Sequence, residues 1–531
     1  MDALRAAYRD EREPGESLHS FLGRTLHEHY GPKCFKVEPT SGESEPLAES
    51  KIVQRAILVD FIQAQRHMSD APTGPSTRLS DLLHRHYTKH FAEVDEPGHV
   101  ELKRTLREHS ADLTTKYTKA IGPLLEALGK FGYPQKQTPR LSVRADLSSE
   151  SLFKDNTTAY YAADLPGVPG NAAPAVQELP EKYNGLGFKN LIFIILQIKS
   201  FRDAYERWEG VRPRAHVIMV EEPEVHLHPQ MQAVFIREIL PFLDAPAAIT
   251  RSQLLLTTHS SHIVADSGFE PVRYFRRRGS IAESKDLLQF REAQEAGAGT
   301  DAIAFLAQYM TQTRCDLFFA DKAVLFEGSV ERLLLPSMIQ QVAVGASAGL
   351  RGDYLAFMEV GGAYAHLFRS LLEFLAVPTL IITDLDAIGD DRRKCPVAKG
   401  TKTSNATLKK WLPGSEVLAD LLSATDAART SGFIRVAFQV PSAPKRPCAR
   451  SFEEAFIYEN AVWLHAHQAS LKGTSESIAC KSAADLETRA YEITEKGFEK
   501  VDFALDLMLT SGWAIPRYIR DGLVWLAGQS S

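Results

Sequence analysis

Two apolar runs that each end in carboxylates constrain this chain more than anything else in it. The first, Ala323 to Phe326 in AVLFEGSVERLL, ends at Glu327 and Gly328, and Glu331 follows on the predicted first turn of a helix. The second, Thr379 to Thr383 in VPTLIITDLDAIGDD, ends at Asp384 and Asp386 with one residue between them. Such runs predict strands of an open α/β sheet, where ligands collect outside the carboxyl ends of strands. Like-charged oxygens gathered there are tolerable when a cation neutralises them, and oxygen donors suit a hard ion such as Mg2+. Hydrolysis of a phosphodiester is the chemistry such a site most often serves.

A Glu after one strand and Asp-x-Asp after a later one resembles the Toprim fold, shared by topoisomerases, bacterial primases and OLD-family (overcoming lysogenization defect) nucleases. Many Toprim proteins carry a third acid two residues on, where this chain has Ile388. Asp390 and Asp391, on the following loop, are the nearest substitutes.

Charge and cysteine usage narrow the function classes. A formal net charge of -6 over 531 residues excludes a protein that coats nucleic acid by charge alone, but not one with a local basic strip. Arg392, Arg393, Lys394, Lys399, Lys402, Lys409 and Lys410 form such a strip with no acid among them, directly after the Asp-x-Asp strand. A solvated loop and a double-stranded DNA contact are both consistent with it. Cys34, Cys315, Cys395, Cys448 and Cys480 are scattered without a Cys-x-x-Cys, so neither a zinc ribbon nor a disulfide framework is expected, and a reducing cytoplasm is. The polar start and the short LIFIILQI run predict neither a signal peptide nor a membrane span.

A second constellation lies upstream. AHVIMVEEPEVHLHPQMQAVFIREILPFL reads as a buried strand, Val217 to Val220, two acids, a short loop and an amphipathic helix from about Pro229. This has the form of a Walker B strand, in which Glu221 would hold Mg2+ through water and Glu222 would orient the water attacking a γ-phosphate. Leu254 to Leu256 form another apolar strand before Thr257, Thr258 and His259, where a His fits the switch position of ABC-type ATPases. Asn184, Gly185, Leu186 and Gly187 open an apolar helix and resemble the ABC signature. Glycines there let backbone N–H groups approach a phosphate. Alone, the Gly-x-Gly is more often a tight turn, and His226, His228, His259 and His262 lack the cysteine partners of a zinc site. The order of signature, Walker B and His strand is that of the C-terminal half of an ABC ATPase. No Gly-x-x-x-x-Gly-Lys-Ser/Thr loop occurs, and GPLLEALGKFG from Gly122 has the wrong spacing. ATP binding is therefore expected only if a Walker A half is supplied; a mis-assigned start codon, a naturally truncated gene and a separate polypeptide carrying that half all fit its absence.

The expected fold class is α/β: a partial ABC-type ATPase domain with a helical dimerisation insertion, followed by a Toprim α/β domain with helical additions. The ATPase part is expected at residues 1–70 and 140–272, the insertion at 71–139, a connecting segment at 273–315 and the Toprim part at 316–531. Within the insertion, Leu102, Leu106, Leu113, Tyr117, Ile121, Leu124 and Leu128 share one helix face, with Pro123 expected to kink or end the helix. Core packing and a dimer seam both fit that stripe. Leu141, Val143, Ala145 and Leu147 alternate as in a strand, residues 271–286 are expected to close the ATPase module, and Thr300 to Gln312 to form a helix.

An ATPase followed by Toprim on one polypeptide resembles the OLD family of ATP-dependent endonucleases, to which the nuclease subunit of the Gabija phage-defence system is also similar. The resemblance implies a further metal-binding Glu in KRPCARSFEEAF, with Glu453 preferred over Glu454, and a lysine ahead of Phe-Ala in GFEKVDFALDLM, which is Lys500. It implies a two-metal Mg2+ or Mn2+ site, with Glu327, Asp384 and Asp386 on one ion and Glu331 and Glu453 completing the other. A homodimer or higher homo-oligomer is expected, and any partner helicase leaves no trace in the sequence. A topoisomerase, which needs a nucleophilic tyrosine, and a non-catalytic SMC- or RecF-like scaffold are the rival readings.

Overall fold

The computed structural model describes residues 8, 11–14, 16–29, 35–38, 40–46, 56–64, 99–131, 140–145, 157–164, 176–180, 185–243, 252–278, 281–298, 309, 315–342, 349–361, 364–441, 443, 446–471, 474, 477–496 and 498–530. They form two compact units, Met1–Thr258 and His259–Ser531.

The first unit is built on three parallel strands, β1 (Ile57–Ile62), β2 (Ala215–Glu221) and β3 (Ser252–Thr257), with β2 in the middle. The expected strands at 217–220 and 254–256 fall within β2 and β3. Alternate residues of β2 are buried, among them Ile218, Val220 and His216. A buried imidazole needs partners, and His216 finds one on each neighbouring strand: Asp60 of β1 and Ser252 of β3, both at 2.8 Å. Helix α1 spans His99–Lys130, α2 Leu186–Glu206 and α3 Pro229–Leu243. Pro229 opens α3 at the first-turn position where its missing N–H costs nothing.

Helix α1 does not end at Pro123 but runs on to Lys130, with Pro123 on its exposed side. Its inner side carries Leu124 and Leu128, and Phe131 just beyond it packs on Phe235 and Phe242 of α3, ring centroids 6.2 Å apart in each pair. This end of the apolar stripe is therefore core of its own chain. The side chains of Leu102, Leu106 and Leu113 lie outside the described residues. Gly122 and Gly129 are helical, so GPLLEALGKFG forms no phosphate loop. Strand 140–145 belongs to an antiparallel three-stranded sheet with 157–164 and 176–180, and Leu147 lies outside the described residues.

The second unit is organised by a five-stranded sheet. Its order is β5 (Leu355–Glu359), β4 (Lys322–Phe326), β6 (Thr379–Ile382), β8 (Ile434–Ala437) and β7 (Thr430–Ser431), parallel except for β7. The apolar runs read as strands are thus the adjacent central pair, with Val324 opposite Leu380. Pleating sends Ala323, Leu325 and Ile381 into one core and Val324, Phe326, Leu380 and Ile382 into the other, which explains why neither run alternates with polar residues.

The second core is closed by α4 (Ser329–Val342), α5 (Phe452–His467), α6 (Ala483–Glu495), α7 (Lys500–Met508) and α8 (Arg517–Ala527). Gly522 lets α8 lie against β6, since a Cβ there would stand 2.8 Å from Leu380. The hairpin of residues 273–278 and 281–286 belongs to this second unit: Arg276 donates to the Ala376 carbonyl, and Tyr274 packs on its first core. Of residues 300–312 only Tyr309 is described. No helix among the described residues is long and apolar enough to cross a membrane.

Candidate metal centre

Adjacent parallel strands deliver their carboxyl ends side by side, and that juxtaposition builds the site. Glu327 leaves β4 and turns its carboxylate onto the end of β6. Its Oε1 accepts from the Asp384 N–H at 2.8 Å, from Asn405 Nδ2 at 3.1 Å and from the Thr383 hydroxyl. Glu331, in the first turn of α4, is 6% exposed. Asp384 Oδ1 accepts from Gln439 Nε2 at 2.6 Å.

Asp386 sits in the left-handed region at φ 50°, a conformation a non-glycine residue holds only when its surroundings enforce it. Arg450 does so twice: its carbonyl accepts the Asp386 N–H at 3.2 Å, and its Nη2 donates to Asp386 Oδ1 at 2.7 Å. The same guanidinium donates to the Ala387 carbonyl and to Glu495, tying this turn to α6.

Helix α5 supplies the remaining acid. Glu453 is 2% exposed, accepts from the Ser451 hydroxyl and pairs with Lys500, the first residue of α7, at 3.0 Å. Its neighbour Glu454 is held elsewhere, by the Arg450 N–H and the Tyr458 hydroxyl.

The acids act on one another. Burial, then Glu453 and Glu327, push the Glu331 carboxyl up to about 8. Burial also raises Glu327, partly opposed by its hydrogen bonds from Thr383 and Asp384. Asp384 is raised well above the usual carboxylate range by burial and by Glu327, Glu331, Glu453 and Asp386. Burial works against the Lys500 ammonium, but Glu453, Asp384 and Glu331 outweigh it, so its proton is held more tightly than usual. The structure thus brings Glu327, Glu331, Asp384, Asp386, Glu453 and Lys500 into one electrostatic neighbourhood.

A divalent cation fits this donor set by chemistry: all ligands are oxygens, Glu331 and Glu453 are buried and the other three acids half-buried, and their mutual repulsion calls for more positive charge than Lys500, paired with Glu453, and Arg450, paired with Asp386, supply. Among the described residues, however, no three acid, His or Cys groups already stand as a coordination shell. The hydrogen bonds named above occupy one oxygen each of Glu327, Asp384 and Asp386.

The basic strip lies beside this centre on the excursion between Asp386 and Asn405, around the small ladder of 387–388 with 402–403. Arg392, Arg393, Lys394, Lys399 and Lys402 are exposed, and Lys402 pairs with Glu416 at 2.7 Å. Asp390 accepts from the Thr401 hydroxyl and Asp391 from the Arg393 N–H, so both are engaged within the loop.

In the first unit, Glu221 ends β2 and accepts from the Ala64 N–H beyond β1 at 3.1 Å, and Glu222 follows at φ 43° with its N–H on Thr257 of β3. Gly187 has a packing reason to be glycine, because a Cβ there would stand 2.5 Å from the His226 carbonyl oxygen, whereas Gly185 faces open space. Asn184 lies outside the described residues. His259 follows β3 at an exposed position.

Comparison with known proteins agrees with this division. One family model, described as an AAA ATPase domain, matches residues 24–264, and another, described as overcoming lysogenization defect protein-like, TOPRIM domain, matches residues 318–386. The chain joins an AAA ATPase domain to an OLD-like Toprim domain. It is homologous to endonuclease GajA of Bacillus cereus, 26% identical over 503 residues, spanning 89% of this chain and 68% of that protein. It is also homologous to the OLD nuclease of Thermus scotoductus, 24% identical over 218 residues, 40% of this chain and 38% of that one. A solved structure, the C-terminal region of the Burkholderia pseudomallei OLD protein, matches at 20% identity over 39% of this chain and 97% of that chain, with a TM-score of 0.25.

Several residues of the Toprim site escaped sequence reading. Asn405, Gln439 and Arg450 touch the acids from distant segments, and a single sequence does not reveal such pairings. Only Asn405 left a signal, as a helix N-cap ahead of Ala406–Lys410.

Proposed function

We propose that this protein is a Mg2+- or Mn2+-dependent DNA endonuclease of the OLD type, introducing nicks into double-stranded DNA. The observation that carries the proposal is the Glu327 carboxylate hydrogen-bonded at the Asp384 backbone, with Glu331, Glu453 and Asp386 in the same field and one ammonium, Lys500, beside them. Glu327, Asp384 and Asp386 would hold one ion and Glu331 and Glu453 another. Bound there, such ions activate water and stabilise the departing 3′-oxygen. Lys500 adds a fixed positive charge for the phosphate oxygens, and the exposed strip Arg392, Arg393, Lys394, Lys399 and Lys402 holds the DNA backbone. The homologues named as nucleases support this chemistry, and dimerisation is assigned to the first unit, which matches an AAA ATPase domain. ATP joins through Glu221, Glu222 and His259, with Asn184, Gly185 and Gly187 capping it, only where a Walker A loop completes the site.

A topoisomerase reading needs a tyrosine that reaches DNA. Tyr518, beside these acids, is 4% exposed, accepts from Gln439 and has its hydroxyl raised well above the ordinary range by burial and by Asp384, so it makes a poor nucleophile. Supercoiled plasmid incubated with the protein and Mg2+ or Mn2+ should be nicked, and Glu327→Ala should abolish nicking while the protein stays folded. Undiminished nicking by Glu327→Ala, or a covalent tyrosyl-DNA adduct, would overturn the assignment.

A further inference from the structure

We propose that Asn405 and Gln439 are positioning residues that aim the strand-end acids Glu327 and Asp384 at a divalent cation through uncharged donors. The inference rests on the nuclease reading above and concerns how that site is tuned. Both side chains are buried, Asn405 at 3% and Gln439 at 0% exposure. Asn405 Nδ2 donates to Glu327 Oε1 at 3.1 Å, to the Thr383 hydroxyl at 2.7 Å and to the Asp384 carbonyl at 2.9 Å. Gln439 Nε2 donates to Asp384 Oδ1 at 2.6 Å and to the Tyr518 hydroxyl at 3.2 Å.

The direction of each amide is fixed by its other end. Asn405 Oδ1 accepts from the Thr407 and Leu408 N–H groups at 2.9 and 3.3 Å, and Gln439 Oε1 accepts from the Leu385 N–H at 2.6 Å. A flipped amide would set N–H against N–H on one side and oxygen against carboxylate on the other. Each NH2 group is therefore locked toward an acid.

Their neutrality separates them from the other partners of the site. Arg450 and Lys500 each lend positive charge to the acid they hold, Asp386 and Glu453. A carboxamide orients one carboxylate oxygen without adding positive charge that would compete with a cation, so it fixes the pose of Glu327 and Asp384 and leaves their neutralisation to the ion. Outer partners of this kind orient metal ligands, and their loss typically weakens metal binding by about 10- to 100-fold.

Mn2+ binding to the full chain, read by the electron paramagnetic resonance signal of free Mn2+, tests the proposal. Asn405→Ser keeps a helix-capping oxygen but is too short to reach Glu327. Gln439→Met keeps the length and removes the donor, and because it also unpairs the Leu385 N–H, Asn405→Ser decides the outcome if the Met variant does not fold. Each variant should bind Mn2+ about 10- to 100-fold more weakly, with the Asn405→Ser melting temperature in EDTA unchanged. Excess Mn2+ should restore its nicking rate, moving the metal dependence and not the saturated rate. Unchanged Mn2+ binding in Asn405→Ser while Glu327→Gln loses it would overturn the positioning role and leave the nuclease reading intact. An unaltered protein that binds no Mn2+ would overturn both.

Discussion

Replacing Glu331 by Gln should make the protein more stable, but only where Glu331 would be asked to ionise. Its carboxyl is 6% exposed and is raised from an ordinary 4.5 to about 8 by burial and by Glu453 and Glu327. Below about pH 4.5 the group is protonated in both the folded and unfolded chains and costs nothing. As the pH climbs toward 8, the unfolded chain releases the proton while the folded chain retains it, so stability drains away, and the deficit is complete above about 8. At about 1.4 kcal/mol per pH unit this is an upper bound on the order of 5 kcal/mol. Relaxation of Glu327 and Glu453 once one acid is gone leaves an expected gain of about 1–3 kcal/mol for Glu331→Gln at pH 8, worth several degrees in melting temperature. Thermal unfolding in EDTA from pH 5 to pH 9 measures it. Adding Mn2+ should reverse the order, because ligand binding to the folded state stabilises the unaltered protein more. A variant that melts at or below the unaltered protein at pH 8, or a difference that fails to shrink toward pH 5, would refute the account of a mutually repelling buried cluster.

Arg450→Met should destabilise the second unit by about 3 kcal/mol, since it strips the counter-charge from Asp386 and Glu495 around a side chain only 7% exposed; a loss below about 1 kcal/mol in urea unfolding would count against it. Gly187→Ala should cost about 1–3 kcal/mol by forcing a Cβ toward the His226 carbonyl, whereas Gly185→Ala meets nothing and should cost less. Equal thermal shifts in the two would show that contact is not what makes Gly187 necessary. Isothermal titration of the chain with ATP and Mg2+ should give no measurable heat of binding, and a micromolar affinity would contradict the expectation drawn from the absent Walker A motif.

The strands and their terminal acids were legible because a short apolar run ending in carboxylates carries its information locally. Ala323–Phe326 and Thr379–Thr383 announce both a buried sheet and a charge cluster, and Lys322–Phe326 and Thr379–Ile382 are the strands found. What stayed hidden depends on partners far along the chain. Nothing near His216 foretells Asp60 and Ser252, and nothing near Arg450 foretells Asp386 and Glu495. Of the two outcomes expected at Pro123, a kink or an end, the end does not occur, because the anchoring of this helix by Leu124, Leu128 and the Phe131 contact outweighs the one hydrogen bond that proline removes.

The neighbouring positions of β4 and β6 carry a final implication. Strands in a ladder run about 4.8 Å apart, whatever the length of chain that connects them. The gauge between the Glu327 and Asp384 backbones is thereby set by the rungs of the sheet itself. Outside α4, which carries Glu331, and β5, which completes the sheet, the loops between those two acids can lengthen or shorten without altering the gap a cation must fill.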